Sequence, residues 1–283
     1  MNDYTCRKFL LVRLNFPDML TNGNYKLTNN ELKTHCTNKC DKDIDKINAV
    51  CLWLFNVFFE SASVLSNHNN INIVQYIMIW LSYMLSLKSH DKINNLNDYY
   101  ETHIKNNNDY NKHISGVGSY SNYKNLIDIY DYFLSMDMKI ISKFYDAFTT
   151  LCGMYTNFDK NSPDCRNYLK NAKEFVKKYD ELNEDYNNTK GSSYNKILST
   201  LSNDYNNFKK DYDSVGCNNF PSLPTYSRRS VIKNALISIS FTFVAVSIFL
   251  GIAYKYSLFG FRKRSQKQHL REKLKKIKKK LNH

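Results

Sequence analysis

The chain has 283 residues, room for one large domain or two small ones with appendages, and its 42% hydrophobic and 14% aromatic content is enough for a core. Eight glycines and four prolines leave few tight turns, which argues against a β-sandwich, a dinucleotide-binding α/β domain or a collagen-like chain and makes an all-α fold the default. The formal charge of +14 resides in residues 228–283, where 15 Lys+Arg face Glu272 alone; residues 1–227 are neutral, so no nucleic-acid groove is expected on the large domain.

In chain order, the start MNDYTCRKFLLVRLNFPDML is interrupted by Arg13 and Asn15 and offers no small-residue cleavage site, so it fails as a signal peptide. Asp41, Asp43 and Asp45 suit a helix N-terminus, and Ile47, Val50, Cys51, Leu54, Phe55 and Phe58 then recur at helical spacing, predicting a helix over 44–65. The uncharged run 71–87 is at the short limit for a membrane span and carries Asn72, Gln75, Ser82 and Ser86; it reads as a central helix surrounded by neighbours. Residues 91–123, rich in Asn, Tyr and Gly, read as a partly helical surface stretch with little to bury: either a disordered Asn-rich insertion with no partner, the favoured reading, or a binding surface for which Tyr99, Tyr100, Tyr110, Tyr120 and Tyr123 are candidates. Leu126, Tyr130, Phe133, Ile140, Ile141, Phe144, Phe148 and Leu151 predict one helix of about 30 residues. Two amphipathic helices follow, one marked by Tyr168, Ala172, Phe175, Val176, Tyr179 and Leu182, the other by Ile197, Leu198, Leu201, Tyr205, Phe208 and Tyr212.

Pro221 and Pro224 then open a short stalk. From Ala235 to Tyr254 the chain runs twenty residues without a charge, which as a helix covers roughly 30 Å and matches the hydrocarbon core of a bilayer. Twelve Lys+Arg lie from Lys255 onward against Arg228, Arg229 and Lys233 before the run, which places the C-terminus in the cytosol. The expected organisation is therefore a helical domain over 1–220, a stalk over 221–234, one transmembrane helix over 235–254 and a basic tail over 255–283. In that tail Leu270, Leu274, Ile277 and Leu281 recur at helical spacing among cations that include Arg262, Lys263, Arg264, Lys275, Lys276, Lys278, Lys279 and Lys280. Such a helix beside a bilayer is expected to lie on anionic lipid headgroups, with an acidic protein partner and a merely solvated tail as the competing readings.

All seven cysteines precede the uncharged run, and an oxidising compartment would pair six of them. Cys152 and Cys165 flank one loop and are the favoured pair; Cys6, Cys36, Cys40 and Cys51 form an N-terminal group of undecided connectivity, and Cys217 is either free or paired upstream. A zinc cluster of His35 with Cys36, Cys40 and Cys51 lacks the usual paired arms. The acidic run at Asp41 fails as a calcium loop at Lys46 and Leu52, and Gly116 and Gly118 lack the rest of a nucleotide fingerprint. Asn187 opens a lone glycosylation sequon. No catalytic motif occurs, so no enzyme activity and no cofactor are expected.

The segments DKINAVCLWLFNVFF, CGMYTNFDKNSPDCRNYLKNAKEFVKKYDELN, YNKILSTLSNDYNNFKKDY and AYKYSLFGFRKRSQKQHLREKLKKIKKKLNH closely resemble the Plasmodium interspersed repeat (PIR) variant antigens of the rodent-malaria type. The resemblance implies an exported single-pass protein with an exposed helical domain, displayed on a parasite or infected-erythrocyte membrane and serving antigenic variation and immune evasion. A host-receptor adhesion module is the alternative, and a membrane transport or channel component is the reading from another class. A single uncharged span disfavours a pore. The host receptor or antibody partner is not legible.

Overall fold

The computed structural model describes residues 1–36, 38–225, 246–250, 252, 254 and 263–280. The chain divides into two units, Met1–Tyr226 and Ser227–His283. Within the first, every regular element among the described residues is helical, accompanied by a few isolated bridges.

Helix α1 (Asp3–Asn15) is capped by Asn2, whose side chain accepts from the Thr5 amide at 3.0 Å, and buries Cys6, Phe9 and Val12. The sequence offered no helix here, because so few of its thirteen residues are buried and apolar. Helix α2 (Asp43–Phe59) starts within the acidic run, with Asp43 and Asp45 in its first turn, and ends earlier than expected. Ser61 turns extended and caps a separate short α3 (Ala62–Ser66), so the expected helix over 44–65 is two.

Helix α4 (Ile73–Ser86) buries twelve of its fourteen residues and is the centre of the domain. That occupancy explains its continuous apolar run: neighbours on nearly every side leave no face that water could reward for being polar. Short helices α5 (Leu96–Tyr99), α6 (Asn108–Asn111) and α7 (Tyr123–Asp128) follow.

The expected 30-residue helix is broken between α7 and α8 (Met138–Thr156) by a 3-10 turn at Asp131–Phe133 and by Asp137. Asp137 holds an extended backbone, and its carboxylate accepts from the Lys139 amide at 2.7 Å, so it starts a helix instead of continuing one. Helix α8 packs on α4, α1 and α9 (Cys165–Asn183), and α10 (Ser193–Ser214) closes the bundle against α8 and α9.

One buried aspartate fastens four parts of this bundle through its carboxylate and its backbone carbonyl. Asp204 of α10 pairs with the Met1 amino group and accepts from the Tyr76 hydroxyl of α4 at 2.6 Å, while its carbonyl accepts from Tyr155 of α8 at 2.8 Å. A buried charge is tolerable only when paired and hydrogen-bonded in this way. Its presence on an otherwise apolar stripe of α10 thus has a structural reason.

In the second unit, residues 246–250, 252, 254 and 263–280 are helical and exposed. Among the described residues, no helix is long and apolar enough to cross a membrane. The expected span from Ala235 to Tyr254 lies mostly outside the described residues, as does Arg262 of the tail.

Candidate recognition surface

Three disulfides tie the first unit, and their pattern corrects the expected one. Cys6 joins Cys152, Cys36 joins Cys40 and Cys165 joins Cys217, with Cα separations of 4.9, 5.1 and 5.5 Å. Cys152 does not pair with Cys165. It lies inside α8, more than a turn before that helix ends, on the side packed against α1, whereas Cys165 opens α9 and meets the chain that emerges from α10. Adjacency across a loop was the wrong guide, because helix faces decide which thiols meet. Cys36 and Cys40 are consumed by each other, so they are not thiolate ligands beside His35.

Cys51 is the remaining free thiol, and it is wholly buried. Burial pushes its pKa up to about 12, which makes it an inert core residue.

The tyrosines proposed as a contact surface face inward. Tyr99 and Tyr110 are fully buried, Tyr100 and Tyr123 nearly so, and Tyr120 packs half-buried against the same core. Tyr99 and Tyr110 both donate to the carbonyl of buried Asn48 on α2, at 3.0 and 3.1 Å. Tyr123 stacks on Phe55 with ring centroids 5.5 Å apart and donates to Asn56 at 3.2 Å; Tyr100 donates to Asp128 at 2.7 Å. Burial raises the pKa values of all four phenols.

The stretch over 91–123 is therefore a fitted cover on α2. Ile93, Leu96, Ile104, Ile114 and Val117 join the tyrosines in the core. At Gly116 the backbone takes φ +76° against Ala62, where a Cβ would collide with the alanine methyl. The signal was present in the sequence, since Leu96, Tyr99/Tyr100 and Ile104 already repeat at helical spacing, but the many asparagines masked it. Several of those asparagines are helix caps: Asn95, Asn107 and Asn122 accept from the amides of Asp98, Asp109 and Asn125.

What the cover presents outward is polar: Asp91, Lys92, Glu101, Lys105, Asn106, Asn108, Lys112 and His113 are exposed. Beside it, the end of α4 with the following turn and the segment over 131–139 enclose an open groove of about 1040 Å³. Its apolar floor includes Ile93, Leu134 and Met138, and its rim carries Lys88, His90, Asn94, Asp131 and Lys139. Several rim groups already have partners. Lys88 pairs with Asp43 and donates to the Gly23 carbonyl at 3.2 Å, and Asp137 caps α8. Burial alone would raise the Asp43 carboxyl, but hydrogen bonds from Lys46 and Lys88 outweigh it and hold its pKa below the usual range. The His90 ring stacks on Tyr25 at 6.0 Å, and burial together with the Lys88 charge lowers its pKa. Among the described residues, no group of three His, Cys, Asp or Glu could hold a metal ion.

Helical layers tied by three disulfides, with a cap-rich cover that buries its tyrosines and turns its charged and amide residues outward, define an all-helical, disulfide-bonded module. The family model described as Plasmodium variant antigen protein Cir/Yir/Bir matches residues 6–255. Among solved structures, a Plasmodium PIR protein ectodomain is 34% identical, with a TM-score of 0.61 over 79% of this chain and 96% of that one. No curated protein matches the chain. The chain belongs to the Plasmodium Cir/Yir/Bir variant antigen family.

Proposed function

We propose that this protein is a single-pass membrane variant surface antigen, with residues 1–220 displayed outside and the C-terminus in the cytosol, and that it serves antigenic variation and immune evasion. The charge step across the uncharged run from Ala235 to Tyr254 carries the topology. Two further features support it. Three disulfides suit a domain held in an oxidising compartment, and the described residues of the run are exposed and mostly apolar, with Phe249 71% and Leu250 65% accessible. In this reading the protein is not an enzyme.

Protease added outside intact infected cells, and separately outside released parasites, tests the reading. Degradation of the large domain with survival of a membrane-protected C-terminal fragment is expected in at least one preparation. Protection of the large domain in both, with a cleaved tail, reverses the orientation. Adhesion to a host receptor is a second reading favoured by one feature, the groove bounded by α4 and the 131–139 segment, whose mixed apolar floor and polar rim suit a protruding polar side chain or loop.

A further inference from the structure

We infer that the helix over 263–280 is an interfacial element that docks on an anionic lipid surface in one defined rotation, with Leu270, Leu274 and Ile277 toward the acyl chains and Glu272 toward water. All its residues are exposed, and these three large apolar side chains are 61%, 63% and 56% accessible.

At 100° per residue the three fall within about 60° of one another. Lys267, Arg271 and Lys278 flank the stripe on one side, Lys273 and Lys280 on the other. Glu272, the one acid of the segment, falls opposite the stripe. Arg264, Lys267 and Arg271 also line a shallow open concavity on one flank.

This arrangement selects its occupant. The stripe is too narrow for a buried core helix, and its flanks are basic on both sides. A second copy packed along it would bring ten Lys+Arg of each helix against ten of the other with one acid apiece to offset them. A bilayer bearing anionic headgroups meets both features at once: apolar side chains enter the acyl boundary while the flanking cations sit at headgroup level. A nucleic acid would satisfy the cations and leave the apolar stripe in water.

The inference relies on the single-span reading only to bring the helix near a bilayer. The test uses the full chain in lipid nanodiscs of phosphatidylcholine, with or without about 30% phosphatidylserine to supply anionic charge. An environment-sensitive dye is attached through Leu274→Cys or Glu272→Cys; the buried Cys51 thiol remains unlabelled. In anionic discs the dye at 274 is expected to shift blue and resist aqueous iodide, while the dye at 272 stays quenchable. The contrast disappears in phosphatidylcholine alone and at about 0.5 M salt. Lys267→Gln and Arg271→Gln each lower the protected-to-exposed ratio about fivefold. Leu270→Ser with Ile277→Ser abolishes protection although every charge remains.

Equal quenching at 272 and 274 in anionic discs overturns the inference, as does protection that appears only when an RNA oligonucleotide is added. A chain that joins anionic discs alone, with position 274 protected, upholds the docking helix and overturns the single span. A chain that stays in phosphatidylcholine discs, yet is equally quenched at both positions in anionic ones, does the reverse.

Discussion

Asn48 provides the sharpest test of the finding that residues 91–123 are part of the fold. Its side-chain carbonyl accepts from both Tyr99 and Tyr110, two phenols with no exposed surface. In Asn48→Ala the two hydroxyls can still turn to each other, and Tyr110 lies against the Cys51 thiol, so at least one donor is left without a good acceptor. An orphaned buried donor costs about 1–3 kcal/mol, and truncating a buried side chain adds roughly 1 kcal/mol, so the expected loss is about 2–4 kcal/mol. Urea unfolding of the oxidised Met1–Tyr226 unit, followed by helical circular dichroism, measures it. The discriminating step is a cycle with Tyr99→Phe. In the parent this change removes a hydrogen bond and costs about 1 kcal/mol; in the Asn48→Ala background it removes the orphan and is neutral or stabilising. If Tyr99→Phe costs the same in both backgrounds, or if Asn48→Ala costs under about 0.5 kcal/mol, the hydroxyls are not held as described and the cover is not anchored here.

Peptide mapping of the unreduced domain is expected to recover Cys6 with Cys152, Cys36 with Cys40 and Cys165 with Cys217, and Cys51 alkylated only after unfolding; a Cys152–Cys165 peptide refutes the helix-face argument. Trp80→Ala, in the middle of α4, is expected to lower stability by about 3–5 kcal/mol in the same urea assay. Gly116→Ala should also destabilise, by roughly 1–3 kcal/mol, through the left-handed backbone and the collision with Ala62, whereas the same change at exposed Gly118, with nothing near its Cβ position, incurs only the backbone part. His68 is held neutral: burial lowers its pKa, and its ring bridges the Phe58 carbonyl at 2.8 Å and the Asn70 amide at 3.1 Å. A depressed histidine pKa means the unfolded chain binds the proton more readily, so stability is full above about pH 6.5 and falls as the pH drops through that value. Denaturation midpoints read from pH 7.5 down to 5 check this, and an unchanged slope in His68→Gln assigns the loss to other groups.

The sequence made the helical class and the central helix legible because both rest on repetition. Twelve buried residues out of fourteen in α4 leave a continuous apolar run, and the amphipathic spacing of α9 and α10 follows from one buried face each. It was less informative wherever a single polar group decides the outcome. Asp137 looks like one polar position in a periodic pattern, yet its cap splits the expected long helix. The disulfide partners were hidden for a related reason, since spacing along the chain says nothing about which faces of α1 and α8 meet. The groove was missed altogether, being assembled from a helix end and two turns that carry no motif.

Residues 91–123 show how such a chain can keep its fold while its surface changes. Their buried positions recur every few residues, and the asparagine caps supply the turns between them, so the fold is specified by a sparse set of anchors. The exposed residues in between, such as Lys92, Glu101, Asn106 and Lys112, make no comparable demand on the core. Substitutions at exposed sites away from caps usually stay within about 0.5 kcal/mol, whereas loss of one anchor removes a large fraction of a marginal stability. Disulfides such as Cys6–Cys152, which closes a separation of 146 residues, widen that margin by restricting the unfolded chain. A polar shell that tolerates change over a core that does not is the physical condition a variant antigen has to meet. In this domain the condition follows from where the tyrosines point: inward, as anchors, with the exposed surface left to the charged and amide residues between them.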